Sequence, residues 1–372
     1  MFVRKKVVQN EVVAASMRRT FRKLKQYQRA GAMEAVVTEY ARSLWLNHTI
    51  SLNPVKRLFT SASPFHVSIA TADASLDWLT KRVTLISDTL LLSHNGAGKY
   101  HKLGFECEED RWGPPELYSL PMHEIKQGFK QYGFLCPDLY SLGKWLVEAE
   151  QLLKSGLAWY MPSYVVIKGD THSEVREAPE RDHLYKYNRY HRSNLDFLVN
   201  SRKAVDVSPV QPLKSQLVRP ILEIELPFIE GVSLQDFSNI TVDEFVSYSA
   251  FRDFLRMSFL QMDDSLNAVQ SERELLKLGL DIKDQVRAAR NQMLQARKKR
   301  AVGVTGAAIG SVGAVLVAAY GPALQTAIAT LGASGGVWGI IHAMAENSMR
   351  PLREDKWYYV WVLAEKSKRS SM

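Results

Sequence analysis

Two sets of apolar positions near the N-terminus recur every three or four residues, which is the spacing of one face of an α-helix. Gly31 lies between the two sets. The apolar positions are Val13, Met17, Phe21 and Leu24 in the first set, and Val36, Val37, Tyr40 and Leu44 in the second. The pattern predicts two amphipathic helices that are separated at Gly31.

The middle of the chain mixes strand and helix patterns. Residues 82–94 are rich in Val, Ile, Leu and Thr, which predicts a buried strand. Residues 104–121 hold glycines and prolines and are expected to form an irregular connection. Asp138 is placed to cap a helix that ends at Gly156. Residues 221–231 alternate apolar and acidic positions, which predicts a half-buried strand.

Two long helices are predicted after this strand. Thr241 and Glu244 have the spacing of a capping box before a helix rich in phenylalanine. Residues 272–300 keep a near-heptad apolar rhythm and end in four consecutive cations. The pattern predicts an amphipathic helix that leads directly into an uncharged stretch.

Residues 301–345 contain no charged side chain, whereas 23% of the whole chain is charged. Gly321 and Pro322 divide this stretch into two parts, each of a length that can cross a bilayer as a helix. Glycines spaced by three or four residues would let the two helices approach closely. They are Gly303, Gly306, Gly310 and Gly313 in the first part, and Gly332 and Gly336 in the second. The sequence predicts a Gly-rich helical hairpin.

The flanks of the stretch favour a membrane. Basic residues lie on both sides, so the positive-inside tendency places both hairpin ends in the cytoplasm. Trp357, Tyr358, Tyr359 and Trp361 fit an interfacial aromatic belt. Polar residues within the stretch weaken insertion, so membrane association can be stable or conditional. The alternative is a hairpin buried under helices 241–300 in a soluble domain.

The charge of the chain points to an anionic partner. The formal net charge is +9, and residues 1–30 carry nine cations against one acid. The predicted contacts with an anionic surface are Arg18, Arg19, Arg22 and Lys23, together with Arg297, Lys298, Lys299 and Arg300. The alternative is a solvated basic face on a packed helix. Two cysteines and the absence of an apolar leader predict a cytoplasmic protein.

No catalytic, cofactor or metal motif is complete. Ser93 and Tyr100 stand where a phosphate-binding loop around Gly98 and Lys99 would need Gly and Ser or Thr. His123 lacks the second histidine of a zincin helix. We therefore expect no bound cofactor or metal, and the absence of a catalytic motif favours a non-enzymatic protein.

These observations predict an α+β fold with five regions. They are a basic helical region (1–50), a mixed α/β region (51–218), a strand with long amphipathic helices (219–300), the hairpin (301–345) and an aromatic, basic tail (346–372). This order is similar to that of bacterial membrane-acting effectors of defence or toxin systems, although no single motif carries the likeness.

The leading functional prediction is a membrane-associated, non-enzymatic protein. Its soluble part would sense a partner, and its hairpin would anchor it or, after self-association, perturb the bilayer. Two alternatives stay open. One is a soluble protein that binds nucleic acid through residues 1–30 and 181–194, the second of which interleaves cations with tyrosines and histidines. The other alternative is a hydrolase of an unrecognised family.

Overall fold

The computed structural model describes residues 9–50, 65–94, 96–108, 128–169, 195–207, 212–262, 268–303 and 355–370. The chain divides into two compact units. The first contains residues 1–223 and 234–242, and the second contains residues 224–233 and 243–372. Helices combine with one mixed and one antiparallel sheet, so the predicted α+β class is confirmed.

The first unit contains all eight described strands and most of the helices. The strands are β1 (His66–Thr71), β2 (Thr89–Ser93), β3 (Lys99–Glu108), β4 (Gly128–Cys136), β5 (Ala158–Tyr160), β6 (Ser163–Gly169), β7 (Phe197–Asn200) and β8 (Lys203–Asp206). The helices are α1 (Glu11–Arg29), α2 (Met33–Ile50), α3 (Leu76–Val83), α4 (Leu139–Glu148), α5 (Glu150–Ser155), α6 (Pro212–Glu223) and, except for its last residue, α8 (Leu234–Asp243).

A five-stranded sheet forms the centre of the first unit. Its strand order is β5-β2-β1-β7-β8, and only β8 is antiparallel to its neighbour. The chain moves outward from β1 to β2 and β5 and then returns to β7 on the other side of β1. This is the strand order of a doubly wound α/β sheet, in which ligands bind beyond the carboxyl ends of the strands. All residues of β2 and all of β1 except His66 are buried, as is typical of central parallel strands.

Local sequence signals explain the helices of the first unit. The apolar stripe of α1 is buried against α2 and α5, and Tyr40 of α2 is fully buried. The Asp138 side chain caps α4 as predicted, and Gly156 ends α5 in the left-handed conformation at φ +75°. The predicted single helix between them is interrupted at Ala149, where α4 ends and α5 begins.

The prediction of one strand over residues 82–94 is wrong in its first half. Ser75 caps α3, whose buried face includes Leu79 and Val83, so the strand begins only at Thr89. The irregular connection predicted from residue 104 also begins too early. β3 continues to Glu108 because the strand accommodates Gly104 at a shift in its register with β4.

The strand predicted over residues 221–231 is not present. Residues up to Glu223 belong to α6, and a single turn, α7 (Pro227–Glu230), follows. The side chains of Ile224 and Leu226 are buried while those of Glu223 and Glu225 are exposed. The end of a helix and the connection after it therefore bury alternate residues without strand pairing.

The second unit is helical. It contains α7, α9 (Phe245–Leu260), α10 (Ala268–Gly303) and α11 (Lys356–Ser370). Both long helices predicted from the pattern are confirmed. The predicted capping box is wrong, because Thr241 is buried within α8 and α9 begins after Glu244 without a side-chain cap.

Candidate functional site

Most of the predicted hairpin lies outside the described residues. Gly303 is the last residue of α10. The other predicted packing residues, Gly306, Gly310, Gly313, Gly321, Pro322, Gly332 and Gly336, lie in residues 304–354, which the structure does not describe. Among the residues that are described, no helix is both long enough and apolar enough to cross a membrane.

The uncharged stretch is flanked in sequence by two helices of the second unit. It follows α10, a helix of 36 residues, and the chain is described again from Asp355 at the start of α11. The two helices pack on each other, and Arg290 forms an ion pair with Glu365 at 3.5 Å. Residues 304–354 therefore connect two helices of the second unit that are in contact with each other.

The residues predicted as an interfacial aromatic belt are instead buried in the second unit. Tyr359 is fully buried, and Trp357, Tyr358 and Trp361 are each less than one-tenth exposed. The Tyr359 ring meets Tyr248 of α9 edge-on, with centroids 5.4 Å apart. These side chains lie on the same helix as Val360 and Leu363, which are also buried. Packing against the rest of the unit removes the apolar surface of all of them from water. They are core residues of this unit.

The predicted cations of α1 do not share one environment. Arg19, Arg22 and Lys23 are exposed on the face opposite the buried stripe. Arg18 is half-buried at the edge of that stripe, and its Nε and Nη2 atoms have no hydrogen-bond partner within the described part of the chain. Arg297–Arg300 lie near the end of α10, where the structure describes the backbone but not the side chains.

Part of the basic face of α1 borders an open cleft of about 430 Å³. Its lining residues are Arg22, Lys23, Lys25, Gln26 and Tyr27 of α1 and Glu39 of α2. Of these, Arg22 and Lys23 were predicted as anion contacts. Lys25, Gln26, Tyr27 and Glu39 were not predicted as site residues, and Glu39 reaches the cleft only because α2 packs on α1.

A second polar arrangement lies at the carboxyl ends of β2 and β5. The hydroxyl of Tyr160 lies 2.7 Å from Nδ1 of His94, and the Tyr40 hydroxyl donates to the Tyr160 carbonyl oxygen at 2.8 Å. Burial lowers the pKa of His94 to about 4, so the ring is neutral at pH 7. Burial also raises the pKa of Tyr160 well above its usual value. The hydroxyl therefore donates to Nδ1, and the proton of the neutral ring is on Nε2.

The glycine turn after β2 uses backbone amides within the protein. Gly96 and Gly98 have positive φ angles, and the Gly96 amide donates to Ser163 Oγ at 3.0 Å. The Ala97 amide donates to the His94 carbonyl oxygen at 2.8 Å. Because these two amides are already bonded within the protein, they are not available to a phosphate.

The two loops at the carboxyl ends of β1 and β7 are joined directly. The turn between β7 and β8 places Ser201 and Arg202 at φ +48° and +66°, a conformation that costs non-glycine residues energy. The Asp73 carboxylate accepts from the Ser201 amide at 2.8 Å and from its hydroxyl at 3.3 Å. This contact occupies the switch point of the sheet, where doubly wound folds hold ligands.

The described residues contain no group of His, Cys, Asp and Glu arranged to hold a metal ion. His123 and residues 181–194 lie outside the described part of the chain. Comparisons of the chain with protein-family models, curated proteins and solved structures find no significant match.

Proposed function

We propose that this chain is a membrane-associated, non-enzymatic protein. Its second unit would present residues 301–345 to a lipid bilayer, and its first unit would bind a partner or ligand. The observation that carries the proposal is the charge-free stretch of 45 residues between α10 and α11. A helix of about 20 residues spans the hydrocarbon core of a bilayer, so the stretch has the length of two crossings.

The packing of the second unit supports this proposal over a buried hairpin. The buried hairpin would need helices 241–300 to cover it. The inner face of α9 is instead covered by α11 and α7, through Phe251 against Trp357 at 6.0 Å and against Phe228 at 5.8 Å. These contacts form between described residues and involve none of residues 304–354. The aromatic side of α9 therefore already has partners, while Val246, Met257 and Leu260 of the same helix are exposed.

The position of the stretch also supports a hairpin with both ends on one side of a bilayer. The contact between α10 and α11 means that both ends of the stretch are joined to one folded body. The four cations at 297–300 precede the stretch, and Arg350 and Arg353 follow it. Cations at both ends would favour an anionic cytoplasmic surface on the same side of the bilayer.

Membrane fractionation of the full chain tests the proposal. We expect the protein to remain in the membrane pellet after alkaline extraction, because segments inserted in the bilayer resist it. Gly310→Leu should keep the protein in the pellet and abolish cross-linked oligomers, because a bulky side chain on the glycine face blocks close helix packing.

Ala308→Leu is the matched control, since it adds the same side chain about 200° away around a helix. It should leave both properties unchanged. Complete release of the wild type by alkaline extraction would contradict the proposal. A Gly310→Leu protein that aggregates in the cytosol would instead indicate an overpacked soluble core.

A further inference from the structure

The cleft between α1 and α2 has features of an anion-binding site. Burial of Met17, Phe21 and Leu24 holds α1 against the first unit, so the cations on its outer face stand on a fixed backbone. Three of them, Arg22, Lys23 and Lys25, border the cleft. The cleft is thus a folded feature of the first unit and does not depend on residues 301–345.

Positive charge exceeds negative charge in the lining of the cleft. Within the described part of the chain, Arg22, Lys23 and Lys25 form no ion pair. The one acid in the lining, Glu39, is already occupied. Its carboxylate accepts from Arg42 Nη1 at 3.0 Å and from Ser43 Oγ at 3.4 Å. Three cations that line one cleft, where the single acid is already bonded, attract an anion of high charge density.

The dimensions of the cleft favour a compact anion over a polymer. Arg22 and Lys25 are three residues apart, which is about 4.5 Å along a helix axis. A single-stranded nucleic acid instead requires a groove that follows several nucleotides, with aromatic side chains for successive bases. Tyr27 is the only aromatic residue that lines this cleft. A single phosphate group matches both the extent and the charge.

We propose that the α1–α2 cleft binds a phosphomonoester, carried either by a lipid headgroup or by a small soluble molecule. Arg22, Lys23 and Lys25 would donate to the phosphate oxygens, and the Tyr27 hydroxyl and the Gln26 amide are further donors in the lining. A monoester carries a charge near −2 and three acceptor oxygens at neutral pH, which matches several donors at once. This site would give the first unit a ligand whether or not the second unit enters a bilayer.

Calorimetric titration of the full chain with inositol 1,4,5-trisphosphate tests the site with a soluble probe. Lys23→Gln should weaken binding about tenfold, the effect of losing one hydrogen bond to a charged group. Arg19→Gln is the matched control, because Arg19 is exposed on the same helix but does not line the cleft. It should weaken binding less than Lys23→Gln does, because Arg19 would act on the anion only through its electric field and not through a hydrogen bond. Glu39→Gln should strengthen binding several-fold, because it removes the acid and frees Arg42.

Vesicles distinguish the two sources of the phosphate. At equal surface charge, the protein should bind vesicles containing phosphatidic acid, a monoester, more tightly than vesicles containing phosphatidylglycerol, a diester. The comparison between wild type and Lys23→Gln isolates the cleft from residues 301–345, which both proteins contain. Trisphosphate binding without a preference for phosphatidic acid would assign a soluble ligand. Failure to bind either monoester, or equal losses in Arg19→Gln and Lys23→Gln, would overturn the proposal and leave the membrane function untouched.

Discussion

Protonation of His94 on acidification is expected to destabilise the first unit. His94 accepts a hydrogen bond from the buried Tyr160 hydroxyl, and its burial lowers the pKa to about 4, compared with 6.5 for an exposed histidine. Because the folded pKa is below the unfolded pKa, the unfolded chain binds the proton more tightly. The neutral ring therefore contributes full stability above pH 6.5, and this contribution is lost as the pH falls towards 4.

The size of the effect follows from the shift in pKa. One pKa unit corresponds to about 1.4 kcal/mol, so acidification from pH 6.5 to 4.5 should cost about 2–3 kcal/mol at this residue. His66 has a lowered pKa of about 4, caused first by burial and then by Lys214, and it would lose stability over the same range. A variant is therefore needed to separate the contribution of His94.

His94→Asn provides that comparison, because the Asn oxygen can still accept from Tyr160 but does not titrate. Urea unfolding of wild type and variant, followed by tryptophan fluorescence at several pH values, would give the difference in unfolding free energy. We expect this difference to change by about 2–3 kcal/mol between pH 6.5 and 4.5, with the wild type losing more. A difference that stays constant with pH would refute the reasoning.

Two further predictions concern the packing of single residues. Gly143→Ala should lower the free energy of unfolding by about 1–3 kcal/mol, because its Cβ would lie 2.9 Å from the Met33 Cβ and closer still to the Met33 carbonyl. Gly279→Ala, also within a helix, should raise the free energy of unfolding by up to about 1 kcal/mol, because its Cβ would meet only ordinary contacts at 3.5 Å or more. Equal urea midpoints for the two variants would contradict both predictions. Asp73→Ala should cost about 1 kcal/mol by releasing the turn at Ser201, and Asp73→Asn, which keeps an acceptor, should cost less in the same assay.

Signals between neighbouring residues predicted some elements correctly and others wrongly. The stripe of α1 and the cap at Asp138 were predicted correctly because helical period and capping depend on residues within a few positions. Residues 221–231 were predicted wrongly because a helix end can bury alternate side chains as a strand does. The local pattern of these residues does not distinguish the two cases.

The candidate sites depend on tertiary packing that the sequence does not reveal. His94 and Tyr160 are 66 positions apart and meet because β2 and β5 are neighbours in the sheet. Glu39 joins the cleft only through the packing of α2 on α1. The aromatic residues of α11 were assigned to a membrane interface, although they pack on α9. Composition alone did not distinguish an interfacial belt from a helical core.

The location of residues 301–345 is most directly tested through Trp338, which lies in the second half of the stretch. The full chain would be mixed with vesicles whose lipids carry bromine in the middle of their acyl chains, which quenches nearby tryptophan. The Trp338→Phe variant provides the background from the other tryptophans. Because the chain has eight tryptophans, we predict partial quenching in the wild type, by about the share of one tryptophan, and a clearly smaller loss in Trp338→Phe. Equal fractional quenching of both proteins would contradict insertion of this stretch into the bilayer.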